Sequence, residues 1–160
     1  MAVEVGSKVP DVAVKVMRDG KPEDVNTGDV LGKGKVVLFA VPGAFTPGCS
    51  KIHLPGYVEH GSELKAKGVD TIACISINDA WVMEAWGEAH GVGDGIVMLA
   101  DGNGAFTEAM GLAADMSGAG LGTRSKRYAA VIEDGTITEL EVEAAPGVDV
   151  SSCESILTKV

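Results

Sequence analysis

The stretch Lys35-Val36-Val37-Leu38-Phe39-Ala40-Val41-Pro42-Gly43-Ala44-Phe45-Thr46-Pro47-Gly48-Cys49 carries the reading of this chain. Its first half is a continuous apolar run of strand length, the pattern of a strand buried on both faces. Its second half is broken by prolines and glycines, and beyond it Leu54, Tyr57, Val58 and Leu64 recur at near-helical spacing. A strand that ends in a Pro/Gly loop and restarts as a helix exposes free backbone N–H groups, and a sulfur lying on them is favoured as the thiolate by the helix's positive end. Cys49 therefore reads as a nucleophile in a small preorganised pocket. Thr46 lies three residues before it, and Pro42 and Pro47 stiffen the loop on either side.

Outward from this stretch, short strands alternate with helices. Asp11–Met17 alternates at period two, and Thr71–Ile77 is a second buried strand run. Between the two buried runs, Cys49–Lys67 reads as helix, with Pro55 expected to break or kink it. Asp79–Ala89 reads as a helix capped by Asn78 or Asp79, with Val82, Met83 and Trp86 on one face. Ile96–Leu99 reads as strand and Ala105–Met110 as a short helix. Tyr128–Glu133 and Thr136–Val142 form a hairpin around Asp134-Gly135, and Ser152–Leu157 is a terminal helix. The glycine-rich Ser117–Gly122 is a loop. Strands alternating with helices and closed by an antiparallel hairpin indicate an α/β fold with a mixed sheet.

The 160 residues are the length of one domain, here spanning 1–160, large enough to bury roughly two-thirds of the unfolded surface. A formal charge of −10 argues against nucleic acid as a partner. The longest apolar run, Val36–Pro42, is far short of the ~20 residues that cross a bilayer, so no membrane role is expected. The start of the chain carries no signal-peptide pattern. Three cysteines without a CxxC pair are neither a disulfide framework nor a zinc pattern and suit a reducing compartment. His53 and His60 follow Cys49, which raises a Cys/His metal site or a Cys-His hydrolase pair, but no fourth ligand stands at zinc spacing and no orienting residue is placed. Neither a metal nor another cofactor is expected. The run Gly118–Gly122 precedes a strand and so fails as a nucleotide loop.

The pattern PxxxTxxC, filled by Pro42, Thr46 and Cys49 within PGAFTPGCSKIHLPGYVE, closely resembles the active-site segment of type II (atypical two-cysteine) peroxiredoxins. The similarity extends through Lys67–Asp79, Val82–Trp86 and Arg124–Tyr128, covering the chain from about Gly6 onward. The resemblance implies a thioredoxin-like fold and a thiol-dependent peroxidase that reduces hydrogen peroxide and small alkyl hydroperoxides. Cys49 would supply the attacking sulfur, Thr46 would hydrogen-bond the peroxide, and Pro42 would shield the thiolate.

A thiolate also needs a nearby cation. Arg124, Lys126 and Arg127 form a basic cluster before a strand, which by itself reads more readily as a solvated strand end. The resemblance maps the family's catalytic arginine onto Arg127, directly before Tyr128, and leaves Arg124 at the pocket edge. Gly48 and Phe45 would join Arg124 in contacting substrate.

Peroxide attack leaves a sulfenic acid that a thiol must clear. Cys74 matches the resolving cysteine of plant members. A bridge to Cys49 would require local unwinding, since a disulfide spans only ~4.4–6.8 Å between Cα atoms; Cys74 also reads as a simple buried residue. Cys153 lies about one helical turn from where animal members carry theirs. Glutathione with glutaredoxin, or thioredoxin, would be the external reductant. The family also implies a homodimer, for which Phe45, Trp81 and Trp86 are candidate surface residues, and a location in the chloroplast stroma as a processed form or in the cytoplasm. A redox relay without peroxidase activity is the rival reading, and a thiol-disulfide oxidoreductase is disfavoured by the missing CxxC.

Overall fold

A computed structural model describes residues 2–160. Its centre is β3 (Lys35–Ala40), with β4 (Thr71–Ser76) parallel on one side and β8 (Tyr128–Glu133) antiparallel on the other. β5 (Val97–Ala100) extends the sheet parallel to β4. The hairpin β1 (Ala13–Arg18) and β2 (Lys21–Asn26) closes one edge, and β9 (Thr136–Val142) closes the other. The seven strands lie in the order β2-β1-β5-β4-β3-β8-β9, a mixed sheet as expected.

The long apolar runs sit where burial is two-sided. Val37, Phe39 and Val41 point to one face, against α2 (Leu54–Ala66), α3 (Ala80–Ala89) and α5 (Cys153–Leu157). Val36, Leu38 and Ala40 point to the other, against Phe106 and Met110 of α4 (Ala105–Met110) and the segment through Val9 and Leu31. Phe39 stacks flat on Tyr57, ring centroids 3.9 Å apart and 2° from parallel. Such a pair adds about 1 kcal/mol beyond its buried area and fixes α2 against the sheet directly beneath the Cys49 loop.

The expected hairpin turn at Asp134-Gly135 is present, with both residues at positive φ (46° and 83°), the geometry that aligns with strand twist. Asp79 caps α3 by accepting from Val82 N, and Ser152 caps α5 by accepting from Ser155 N.

Four short elements lie outside the periodic pattern: β2, α1 (Thr27–Val30), and the ribbon of β6 (Ala113–Asp115) with β7 (Thr123–Ser125). A single 3₁₀ turn, Ser117–Ala119, sits inside the glycine-rich loop.

Pro55 does not break its helix. The chain is helical from Pro47 onward, and Cys49–His53 forms one widened π-turn in which Leu54 N donates to Cys49 O. Pro55 follows in the first turn of α2, and the widened turn takes up the ring and the missing N–H that would otherwise strain a regular helix.

Candidate active site

The loop leaving β3 is held at two points before the helix starts. Ala44 N donates to Asn78 Oδ1 at 3.0 Å, and Ser76 Oγ donates to the same oxygen at 2.6 Å, which ties the loop to the end of β4. Pro47 stands at the first helical position, where its missing N–H has no partner to lose. Ser50 N then donates to Thr46 O at 2.9 Å. This arrangement sets Cys49 in the opening turn of the helix with its sulfur pointing inward. Cys49 has no solvent-exposed surface.

Two side chains reach the sulfur. Thr46 Oγ1 lies 3.0 Å from Cys49 Sγ and 2.6 Å from Gly43 O. The hydroxyl has one proton for two acceptors, so a negative sulfur competes for it against the carbonyl. Arg127, just before β8, donates from Nη2 to Sγ at 3.1 Å. The guanidinium thus sets a fixed positive charge and an N–H donor directly against a buried sulfur.

The other prong of Arg127 is also engaged: Nη1 lies 2.9 Å from His53 Nδ1. His53 is buried, and its Nε2 lies 3.0 Å from Ser151 O. Burial, together with the Arg127 charge, lowers the His53 pKa to about 4, so the ring is neutral near pH 7. With Arg127 able only to donate and Ser151 O only to accept, the proton sits on Nε2 and Nδ1 is the acceptor. Ser151 in turn donates from N and Oγ to Glu143 Oε2, at 2.8 and 2.6 Å. Burial opposes the Glu143 charge, but these bonds and those from Asp149 and Val150 outweigh it and hold the carboxyl below its ordinary range.

Arg124, in β7, does not reach the sulfur. It donates from Nε to Leu121 O at 2.9 Å and from Nη1 to Pro42 O at 3.3 Å, bracing the loop from behind. Gly48 is crowded on the same side: a Cβ there would meet Arg127 Nη2 at 3.2 Å. Pro42, Gly48 and Arg127 share the wall of a cavity of about 480 Å³ with Met116 and Glu143.

Phe45 lies elsewhere. It sits at φ 65° with its side chain 53 % exposed, turned toward Trp86 at 6.5 Å between ring centroids and away from the cavity wall. Trp86 is fully buried and donates to Ser50 Oγ at 2.8 Å, so it belongs to the core and leaves Trp81, 62 % exposed, as the surface tryptophan. The α3 register accounts for this, since Ala80, Met83, Trp86 and Gly87 form its buried face.

Cys74 is fully buried in β4, opposite Phe39, and burial followed by the proximity of Cys49 raises its thiol pKa well above the usual value. Cys153, at the start of α5, is buried too, its thiol pushed up to about 12 first by burial and then by Glu63 and Glu154. All three thiols are free. His60 pairs with Glu63 at the surface, far in role from His53. Among the described residues, no group of three or more His, Cys, Asp or Glu side chains could hold a metal ion.

The residues that the motif does not flag are His53, Ser151, Glu143 and Asn78. His53 had a local signal, four residues after Cys49 on a helix, but its partner Arg127 is 74 residues distant.

The redoxin family model matches residues 4–157. Peroxiredoxin-2E-2, chloroplastic, of Oryza sativa subsp. japonica is 46% identical over 160 residues, covering 97% of this chain and 71% of the relative. Peroxiredoxin-2B of Arabidopsis thaliana is 42% identical over 156 residues, covering 97% and 96% respectively. Reduced Prx3 of Vibrio vulnificus in complex with hydrogen peroxide superposes with a TM-score of 0.93 at 46% identity, covering 98% of each chain.

Proposed function

The chain belongs to the redoxin family and within it to the peroxiredoxins, and we propose that Cys49 is the sulfur with which this thiol peroxidase attacks its peroxide. The fold is the thioredoxin-like one of its structural relatives. The observation that supports Cys49 is the convergence of Arg127 Nη2 at 3.1 Å and Thr46 Oγ1 at 3.0 Å on a buried sulfur.

The thiolate attacks the distal oxygen of ROOH, an S–O bond forms as the O–O bond breaks, and the leaving RO⁻ takes a proton to depart as water or an alcohol. Charge moves from sulfur to the departing oxygen, so donors fixed around the line of attack stabilise the transition state more than the ground state. Arg127 and Thr46 are these donors. Pro42 and Gly48 shape the cavity through which hydrogen peroxide or a small alkyl hydroperoxide approaches, with Arg124 bracing Pro42.

The Cys49 sulfenic acid then condenses with a thiol, releasing water and forming a disulfide. Cys74 is the thiol we assign within the chain, ahead of Cys153. Both are buried and held protonated, so condensation with either follows opening of the first helical turn. Two electrons from glutathione with glutaredoxin, or from thioredoxin, return the enzyme to its dithiol; no bound cofactor takes part. Phe45 and Trp81, both exposed, are the residues through which we expect two copies to pair. The rice relative is named chloroplastic, and we place this chain in a reducing compartment, the plastid stroma ahead of the cytoplasm.

Stopped-flow fluorescence tests the assignment, because Trp86 bonds to Ser50, the residue next to Cys49. Micromolar hydrogen peroxide should change the emission rapidly in the wild type and leave Cys49→Ser silent. Oxidation of the wild type no faster than that of free cysteine overturns the reading.

A further inference from the structure

From the bonds around Arg127 we infer that His53 is a positioning residue for peroxide reduction, a neutral acceptor that aims the guanidinium at Cys49 without cancelling its charge. This rests on the assignment of Cys49 as nucleophile.

Arg127 presents two nitrogens to two partners, Nη2 to Cys49 Sγ at 3.1 Å and Nη1 to His53 Nδ1 at 2.9 Å. A planar guanidinium held at both ends of its fork cannot swing, so its second bond sets the direction of the first. The acceptor itself is fixed. His53 donates from Nε2 to Ser151 O, and its ring is tilted against Phe39 and Tyr57 at centroid distances of 5.0 and 5.6 Å. Tyr57 also donates to Ser151 O, at 2.8 Å, and Glu143 clamps Ser151 from beyond.

Chemical type matters as much as position. A carboxylate at this place would hold Arg127 equally well, but its charge would offset the field that the guanidinium exerts on sulfur. A protonated imidazole could not accept at all. Burial and the Arg127 charge together keep His53 neutral, which leaves a lone pair on Nδ1 and the whole positive charge for the thiolate.

Two conservative variants divide the two bonds. His53→Asn places its amide oxygen near the site of Nδ1, so it can accept from Arg127 but falls short of Ser151. His53→Gln places its amide nitrogen near the site of Nε2, so it keeps Ser151 and gives up Arg127. The second-order rate of oxidation by hydrogen peroxide and the rate of alkylation by uncharged iodoacetamide are measured on both, with His53→Leu beside them. We expect His53→Asn within about three-fold of the wild type, and His53→Gln and His53→Leu slowed about ten-fold or more in both reactions, as for a catalytic group displaced by a fraction of an ångström. Should His53→Leu fail to fold, the Asn and Gln pair still decides. His53→Gln reacting like the wild type, or His53→Asn as slow as His53→Gln, overturns the inference while leaving Cys49 as nucleophile. A wild type that itself reacts no faster than free cysteine overturns the role of Cys49 and this one with it.

Discussion

Arg127 Nη2 lies 3.1 Å from Cys49 Sγ across 78 residues of chain, because β8 runs antiparallel beside β3 and pairs Tyr128 with Ala40. The residue before β8 and the loop after β3 are thus brought to the same end of the sheet. The pairing of two core strands, with no contribution from local sequence, delivers the cation to the sulfur.

Arg127→Lys keeps the charge but loses the fork, since one ammonium cannot serve Cys49 and His53 along two fixed directions. The rate of Cys49 oxidation should fall about 10²-fold or more, the usual loss for one preorganised donor. Competition against a haem peroxidase for limiting hydrogen peroxide measures it; a rate within two-fold of the wild type would remove Arg127 from the mechanism.

Thr46→Val replaces a hydroxyl that lies 3.0 Å from the sulfur with a methyl of the same shape. Oxidation should slow by roughly 10²-fold, while Thr46→Ser, which keeps the hydroxyl, should recover most of the rate. Equal rates for the two variants would show that Thr46 acts by packing alone.

Gly48 has ordinary helical angles, φ −65° and ψ −37°, so Gly48→Ala suits the backbone and should stabilise the fold by up to about 1 kcal/mol. Its methyl, however, would press on Arg127 Nη2 at 3.2 Å. A slightly raised urea midpoint together with peroxide oxidation slowed about ten-fold is the expected pair of results. A variant as reactive as the wild type would mean that the guanidinium gives way without cost.

Acid should weaken the fold through His53. Its native pKa, lowered by burial to about 4, lies below the unfolded value of 6.5. Between those values the unfolded chain binds a proton that the native state does not. Stability is therefore complete above pH 6.5 and declines as pH falls toward 4, by on the order of 2 kcal/mol at pH 5. Glu143, with its pKa held down, adds a loss only at lower pH. His60, raised by its bond to Glu63 at the surface, acts weakly in the opposite sense. Urea unfolding at pH 7.5 and pH 5 should show the decline in the wild type and a smaller one in His53→Asn; the same decline in both would place its origin in another group.

After peroxide treatment, intact-mass spectrometry should find one internal disulfide in the wild type and in Cys153→Ser, and none in Cys74→Ser. Loss of the bridge only in Cys153→Ser would transfer the resolving role to α5. A persistent sulfenic acid in the wild type would assign it to an external thiol.

The parts of this fold that are legible in the sequence are those that burial dictates. Lys35–Ala40 and Thr71–Ser76 announce themselves because both faces of each strand are covered, and Asp134-Gly135 because a tight hairpin demands positive φ. β2 is opaque: Lys21, Pro22, Glu23 and Asp24 are exposed on an edge, and backbone pairing with β1 leaves no apolar signature. The sulfur, its hydroxyl and its cation are visible through the motif and the family resemblance. The support for the cation is not, because His53 and Ser151 are joined by tertiary folding across 98 residues. Trp86 misleads for a related reason, since five-residue spacing from Trp81 leaves open which of the two faces the core.

With Cys49 as the proposed nucleophile, a sulfur with no exposed surface imposes a chronology on the catalytic cycle. Pro42, Gly48 and Arg127 wall the cavity on the sulfur's side, and a thiol on another protein is far bulkier than hydrogen peroxide. The proposed cycle therefore expects reduction by a protein thiol to demand more opening than oxidation, with the widened turn at Cys49–His53 as the stretch that gives way. In the proposed cycle the same helix start that favours reaction with peroxide also hides the sulfur from a protein reductant.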